Sequence, residues 1–270
     1  MLLIGIGESS HGNKEFYLER MKIIQQLKEN FSKINIFIEN DILKTCKINK
    51  FIHDKTNNEI EISDYNYHHS YPLKKWCYRF YSCVEFLAFV LFLKKMENID
   101  IFGIDYQRKI VDYDKFKKYK ISKKIQSVFE TENTRDYKMY QIISLLLKKH
   151  TCEANVILCH NGHILSKYNR MGSYLKEEFP FYKTIGIFGG TGTVRYDGYY
   201  TGKGDKYYKI PKEYKIEYDC KKNTAFTVGW NNPIESEDGI YNDIEYRCFY
   251  MKDFDKFIFI KNVTATTLIK

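Results

Sequence analysis

The chain has 270 residues, with 43 basic against 34 acidic side chains, a formal net charge of +9, and 44% hydrophobic and 17% aromatic residues. That length suits one large domain or a domain with an appendage, and no flexible tether, internal repeat or low-complexity tract divides it. The lysines are spread as short pairs such as Lys117-Lys118, Lys123-Lys124 and Lys148-Lys149, so the charge reads as solvated helix faces and argues against a nucleic-acid surface. No apolar run reaches the roughly 18 residues of a membrane span, and the N-terminus enters a strand with no basic leader before it. The seven cysteines form no CxxC and several lie in apolar runs, which fits reduced thiols and a cytoplasmic location.

In chain order, Leu2 to Ile6 reads as a short buried strand, followed by the loop GESSHG, Gly7 to Gly12. Asn13 is placed to cap a helix over 14–29, whose apolar stripe holds Phe16, Tyr17, Ile23, Ile24 and Leu27. Further β-rich runs follow at 34–40, 99–105, 155–159 and 184–188, and amphipathic helices at 74–95 and 133–149. Continuously apolar strands alternating with helices predict an α/β fold: an open, mostly parallel sheet with helices on both faces. After Gly190 the pattern changes to Tyr-rich pieces, including TAFTVGW and DKFIFI. They predict antiparallel strands or a β-rich flap, with residues 1–195 forming the catalytic domain and 196–270 a β-rich extension packed on it.

In open α/β sheets ligands bind beyond the carboxyl ends of the strands, so the residues closing each strand belong to one inspection. They are Glu8 and His11, Glu39, Asp105, and His160 and His163 of HNGH. Three imidazoles and three carboxylates on one edge suggest a reactive site. Buried polar groups at strand ends also satisfy loop backbones, a role that fits Asp105 and one of the two HNGH histidines. Arg20 falls at the centre of the first helix's apolar stripe, where a guanidinium needs a counterion; Glu8 and Glu39 are the nearest choices. His68-His69 lie in a Tyr-rich stretch and read as surface residues, whereas His53, His150, Cys159 and Trp76 read as structural.

The pairing of GESSHG with HNGH resembles the erythromycin esterase family of α/β hydrolytic enzymes. The similarity continues through EFYLER, FIEN, KKWCYRFYSCVEFLAFVLFLKKMENIDIFGIDYQ, ENTRDYKM, VILCHNGHI and RMGSYLKEEFPFYKTIGIFGGTG, roughly residues 1–195. The resemblance implies a metal-independent hydrolase without cofactor that opens an ester or lactone by histidine-activated water. His11 would be the general base with Glu8 beside it. Arg20 would bind substrate, and Glu39, His160 and His163 would position water and polarise the carbonyl. Ser9-Ser10 stands where the family has Thr before its histidine, and 41–98 is short for a lid over a bulky macrolide. The resemblance therefore points to the hydrolytic chemistry more than to a macrolide, and antibiotic resistance belongs to the family's name.

Chemistry of the residues agrees with that reading. Histidine titrates nearest neutrality, a carboxylate can fix its tautomer, and a second imidazole or guanidinium can hold an oxyanion. No Gly-x-Ser-x-Gly elbow occurs, which disfavours a serine nucleophile. Two alternatives use the same residues: a metal hydrolase with Glu8, His11, Glu39, His160 and His163 as ligands, or a binder that sequesters a small molecule without turnover.

Overall fold

A computed structural model describes residues 1–56, 83–106, 112–201, 207–216, 224–236, 239–250 and 253–267. Strands β1 (Leu2–Glu8), β2 (Ile34–Asp41), β3 (Ile99–Asp105), β4 (Ala154–His160) and β5 (Lys183–Thr201) lie in the order β3-β2-β4-β1-β5, all parallel. Their side chains alternate between two cores. Ile34, Ile36 and Ile38 enter one and Phe37 the other, while Ile6 and Leu3 of β1 divide the same way. Strands buried on both faces need apolar residues at nearly every position, which is the unbroken pattern these segments carry.

Helices cover both faces. On one side lie α1 (Lys14–Asn30), much of α2 (Ile42–His53) and α3 (Val84–Lys94); on the other, α4 (Tyr113–Lys118), α5 (Lys123–Glu130), α6 (Arg135–Lys149), α7 (Asn161–Ile164) and α8 (Met171–Glu178). Thr134 and Asp41 cap α6 and α2 with side-chain oxygens, whereas Asn13 holds the N-cap position of α1 without using its side chain there. Of the helix predicted over 74–95, Val84–Lys94 is observed, and Trp76 lies outside the described residues together with His68 and His69. Among the described residues no helix is long and apolar enough to cross a membrane.

The C-terminal part is β-rich as expected, with antiparallel pairs and one strand that differs by running parallel. β5 continues past residue 195 to pair antiparallel with β6 (Tyr207–Ile216), and β7 (Thr224–Ser236) pairs antiparallel with β8 (Gly239–Tyr250). By contrast β9 (Lys256–Val263), which contains most of DKFIFI, runs parallel to β5 inside the central sheet. β5 thus runs through residue 195, and β9 joins the same sheet as β1 to β5.

Register now sets the site. Parallel pairing of β1 with β4 matches Leu2 to Ala154 and ends by matching Glu8 to His160, and β2 with β3 ends on Asp41 opposite Asp105. The polar strand ends are thus brought level at one edge.

Candidate active site

The loop after β1 is shaped by close backbone approaches at its two glycines. A Cβ on Gly7 would stand 2.2 Å from Asn161 Oδ1, and one on Gly12 only 1.7 Å from the Arg195 carbonyl oxygen, so neither position accepts a side chain. Between them both serines are buried and engaged in the scaffold. Ser9 donates its N–H to the Ile187 carbonyl at 3.0 Å and receives the Gly189 N–H on its hydroxyl, while the Ser10 hydroxyl donates to Asn13 Oδ1. Neither is placed as a nucleophile.

Glu8 is fully buried and binds on two sides. Its Oε1 meets His11 Nδ1 at 2.6 Å and its Oε2 meets Arg20 Nη1 at 2.8 Å. Arg20 is 1% exposed and gives Nη2 to the Cys159 carbonyl at 2.9 Å. A guanidinium so enclosed presents no surface to a ligand. Of the two roles expected for Arg20, ion pair and substrate binding, its contacts are those of a counterion behind Glu8. A carboxylate on Nδ1 selects the tautomer in which Nδ1 carries the proton and Nε2 the lone pair. That Nε2 faces Glu39 Oε2 at 4.0 Å.

Glu39, at the end of β2, gathers the remaining groups. Its Oε2 accepts the His160 N–H at 2.9 Å, and its Oε1 meets Arg135 Nη2 at 2.7 Å and His163 Nε2 at 3.3 Å. Burial alone would raise its pKa, but the neighbouring His163, Arg135 and His11 hold it well below the usual carboxylate range. Glu39 is an anion and no general acid.

The two histidines of HNGH have opposite characters. His160 receives the Gly162 N–H on Nδ1 and lies with Nε2 3.2 Å from the Ser9 carbonyl, so one tautomer satisfies both nitrogens. Burial first, then the nearby His11, push its pKa down to about 3, and it stays neutral. It joins HNGH to GESSHG and works as a scaffold. His163 lies between two carboxylates, with Nδ1 2.9 Å from Asp136 Oδ1 and Nε2 facing Glu39. Burial lowers its pKa, but Glu39 and Asp136 outweigh that and raise it to about 9. Arg135 Nη1, 3.1 Å from the same Nε2, opposes the charge. That guanidinium is already neutralised by Glu39 and Asp105, so we take His163 as an imidazolium at neutral pH.

Two charged neighbours had not been singled out from the sequence. Arg135 opens α6 and clamps Asp105 with Nε and Nη2 at 3.1 and 2.7 Å; Asp136 beside it holds His163, the Met171 N–H and, at 3.5 Å, Arg170. Asp105 thus positions Arg135 and does not merely satisfy a loop, although its Oδ1 also accepts the Tyr106 N–H. Both residues stand in ENTRDYKM. The available signal was a cation in a helix's first turn, where the macrodipole disfavours it unless an acid holds it there. His11, His163 and Arg135 are the partly exposed members, their side chains 16%, 14% and 37% accessible, against 3% for Glu39 and 4% for Asp105. Two imidazoles and a guanidinium face outward over a floor of carboxylates.

That floor does not fit a metal. The Glu8 and Glu39 oxygens already face cations and N–H donors, both His160 nitrogens are engaged, and no group of three His, Cys, Asp or Glu among the described residues is arranged as a ligand set. The residues read as structural are so placed: His53 meets Asp100 at 2.9 Å, His150 lies against Phe102, and Cys159 is buried.

No protein-family model and no curated protein matches the chain. Solved structures do resemble it. A succinoglycan biosynthesis protein aligns at 15% identity with a TM-score of 0.68, covering 99% of this chain and 89% of that one. A Bacillus cereus protein gives 12%, 0.62, 99% and 90%, and an erythromycin esterase mutant in its open conformation gives 13%, 0.59, 99% and 92%. At such identities these likenesses carry the fold alone, an α/β fold that the chain shares with these structures.

Proposed function

We propose that this chain hydrolyses a carboxylic ester or lactone of a small molecule with water activated by His11. The observation that carries the proposal is the buried Glu8, held by Arg20 on one oxygen and meeting His11 Nδ1 at 2.6 Å on the other. This leaves the lone pair on Nε2 of His11, whose side chain is partly exposed. A carboxylate–imidazole pair of this kind removes a proton from water as the O–C bond forms, and the imidazolium it becomes is stabilised by the same carboxylate.

The tetrahedral intermediate places negative charge on the former carbonyl oxygen. The partly exposed Arg135 and His163, each already paired with carboxylates, are the cations that would receive it. Collapse breaks the ester C–O bond, and His11 returns its proton to the departing alkoxide. Every step uses residues of the chain, and no serine is acylated.

The fold neighbours bear names from macrolide and from polysaccharide metabolism, which sets the range of compounds to try. Purified wild type and His11→Ala are incubated with macrolides, simple lactones, aryl esters and acylated saccharides, and gain of one water is followed by mass spectrometry. Hydrolysis by the wild type that falls at least about 10²-fold in the variant is expected. Equal turnover by the two proteins would refute His11 as the base.

A further inference from the structure

The segment after β9, Thr264 to Thr267, lies across the loop that bears His11 and is bonded to it on several sides. Lys14 N donates to the Thr264 carbonyl at 3.0 Å, Thr266 N donates to the Gly12 carbonyl at 2.9 Å, and Ala265 forms a bridge with Asn13. Gly12 O takes a second bond from Arg195 N at 3.0 Å. The carbonyl immediately after His11 is therefore held by two N–H donors, one from β5 and one from this strap.

β5 grips the strap in turn. Ala265 N donates to Thr193 Oγ1 at 3.0 Å, Arg195 Nε to the Thr266 carbonyl at 2.6 Å, and Asn13 Nδ2 to the Thr193 carbonyl at 2.7 Å. The GGTGT run that opens this part of β5 has a reason here. Gly192 adopts φ +147, and a Cβ there would stand 1.9 Å from the Val263 carbonyl oxygen, so only glycine lets the end of β9 lie this close. The strap also reaches α3, where Val84 N donates to the Thr267 carbonyl at 2.9 Å and the Glu85 carboxylate receives the Thr267 N–H.

We infer that Thr264–Thr267, keyed to β5 through Thr193 and Arg195, is the positioning element of His11: this segment after β9 sets where the loop holds its imidazole, and α3 is coupled to the site through it. The inference rests on the His11 reading proposed above. Glu8 fixes the ring's tautomer from one side of the loop, and the strap fixes the backbone on the other. A displacement of about 1 Å in a reacting group costs up to about 10²-fold in rate, so loosening the strap is expected to act on turnover more than on binding.

Thr193→Val removes the hydroxyl acceptor at constant shape, Thr193→Ser keeps it, and Arg195→Met removes the second key. Two readouts apply: kcat and KM on the best ester, and the ring signals of His11 in 1H–13C correlation spectra, which need no substrate. Thr193→Val and Arg195→Met are expected to lower kcat about tenfold or more with little change in KM and to move or broaden the His11 signals, and Thr193→Ser to restore both. Unchanged His11 signals in folded Thr193→Val and Arg195→Met would overturn the inference, whatever their melting temperatures. If the wild type hydrolyses nothing, the functional reading fails, while the ring signals still decide the strap.

Discussion

Glu8 ties the proposed base His11 to the buried counterion Arg20, and substitutions at Glu8 and Arg20 separate their parts. Glu8→Gln keeps the shape but can no longer stabilise an imidazolium, and kcat is expected to fall about 10²- to 10⁴-fold with KM little changed. Steady-state kinetics check this, and a variant within about twofold of wild type would contradict it. Arg20→Met leaves the Glu8 carboxylate buried without its guanidinium, a loss of about 3–5 kcal/mol that denaturant unfolding would register as a lower midpoint. At this scale the sequence was informative wherever a strand ended. Glu8, His11, Glu39, His160 and His163 were legible because parallel strands bring their carboxyl ends level, and the register of β1 on β4 does so. Roles within that set were less legible. Nothing local to HNGH distinguishes a neutral scaffold histidine from a charged one, since the difference arises from burial beside His11 at His160 and from Glu39 and Asp136 at His163. Arg135 and Asp136 escaped because they begin a helix and close no strand.

Between elements, the loop after β1 depends on three neighbours: α7 against Gly7, β5 against Gly12, and the strap beyond β9 on the Gly12 carbonyl. Gly12→Ala is expected to force apart the loop and β5, because the added carbon would lie 1.7 Å from a backbone oxygen that cannot swing away. Thermal unfolding should show a clear drop in melting temperature, and a variant melting like the wild type would show that the loop sits elsewhere. The buried strands and the long helices α1 and α6 were plain in the apolar pattern. β9 was grouped with antiparallel strands or a β-rich flap because its Phe257-Ile258-Phe259-Ile260 run does not say which strand it joins. Its partner in β5 lies about 70 residues upstream, beyond what local periodicity can report.

For the molecule as a whole, the buried charges predict how stability follows pH. His163 has a folded pKa raised to about 9 from an ordinary 6.5, so its contribution is complete below about 6.5 and is lost as pH rises through about 9. Glu39 and Asp136 are lowered, after burial is outweighed by His163 and its neighbours; their contributions hold above the usual carboxylate range and vanish as pH falls through their lowered values. Melting temperature measured against pH should therefore be highest between the carboxylate range and about 6.5 and decline on both sides. In His163→Gln the alkaline decline should be shallower between about 7 and 10, and an identical alkaline limb would mean that His163 is neutral in the folded protein.

The proposed chemistry turns on the protonation of one ring. Long-range 1H–15N correlation of the His11 imidazole near neutral pH, with His11→Ala for assignment, reads it directly. The expected result is a ring protonated on Nδ1 and bare on Nε2, with that preference weakened in Glu8→Gln. A ring bare on Nδ1, or one that stays doubly protonated across the pH range of hydrolysis, would contradict His11 as the base that activates water.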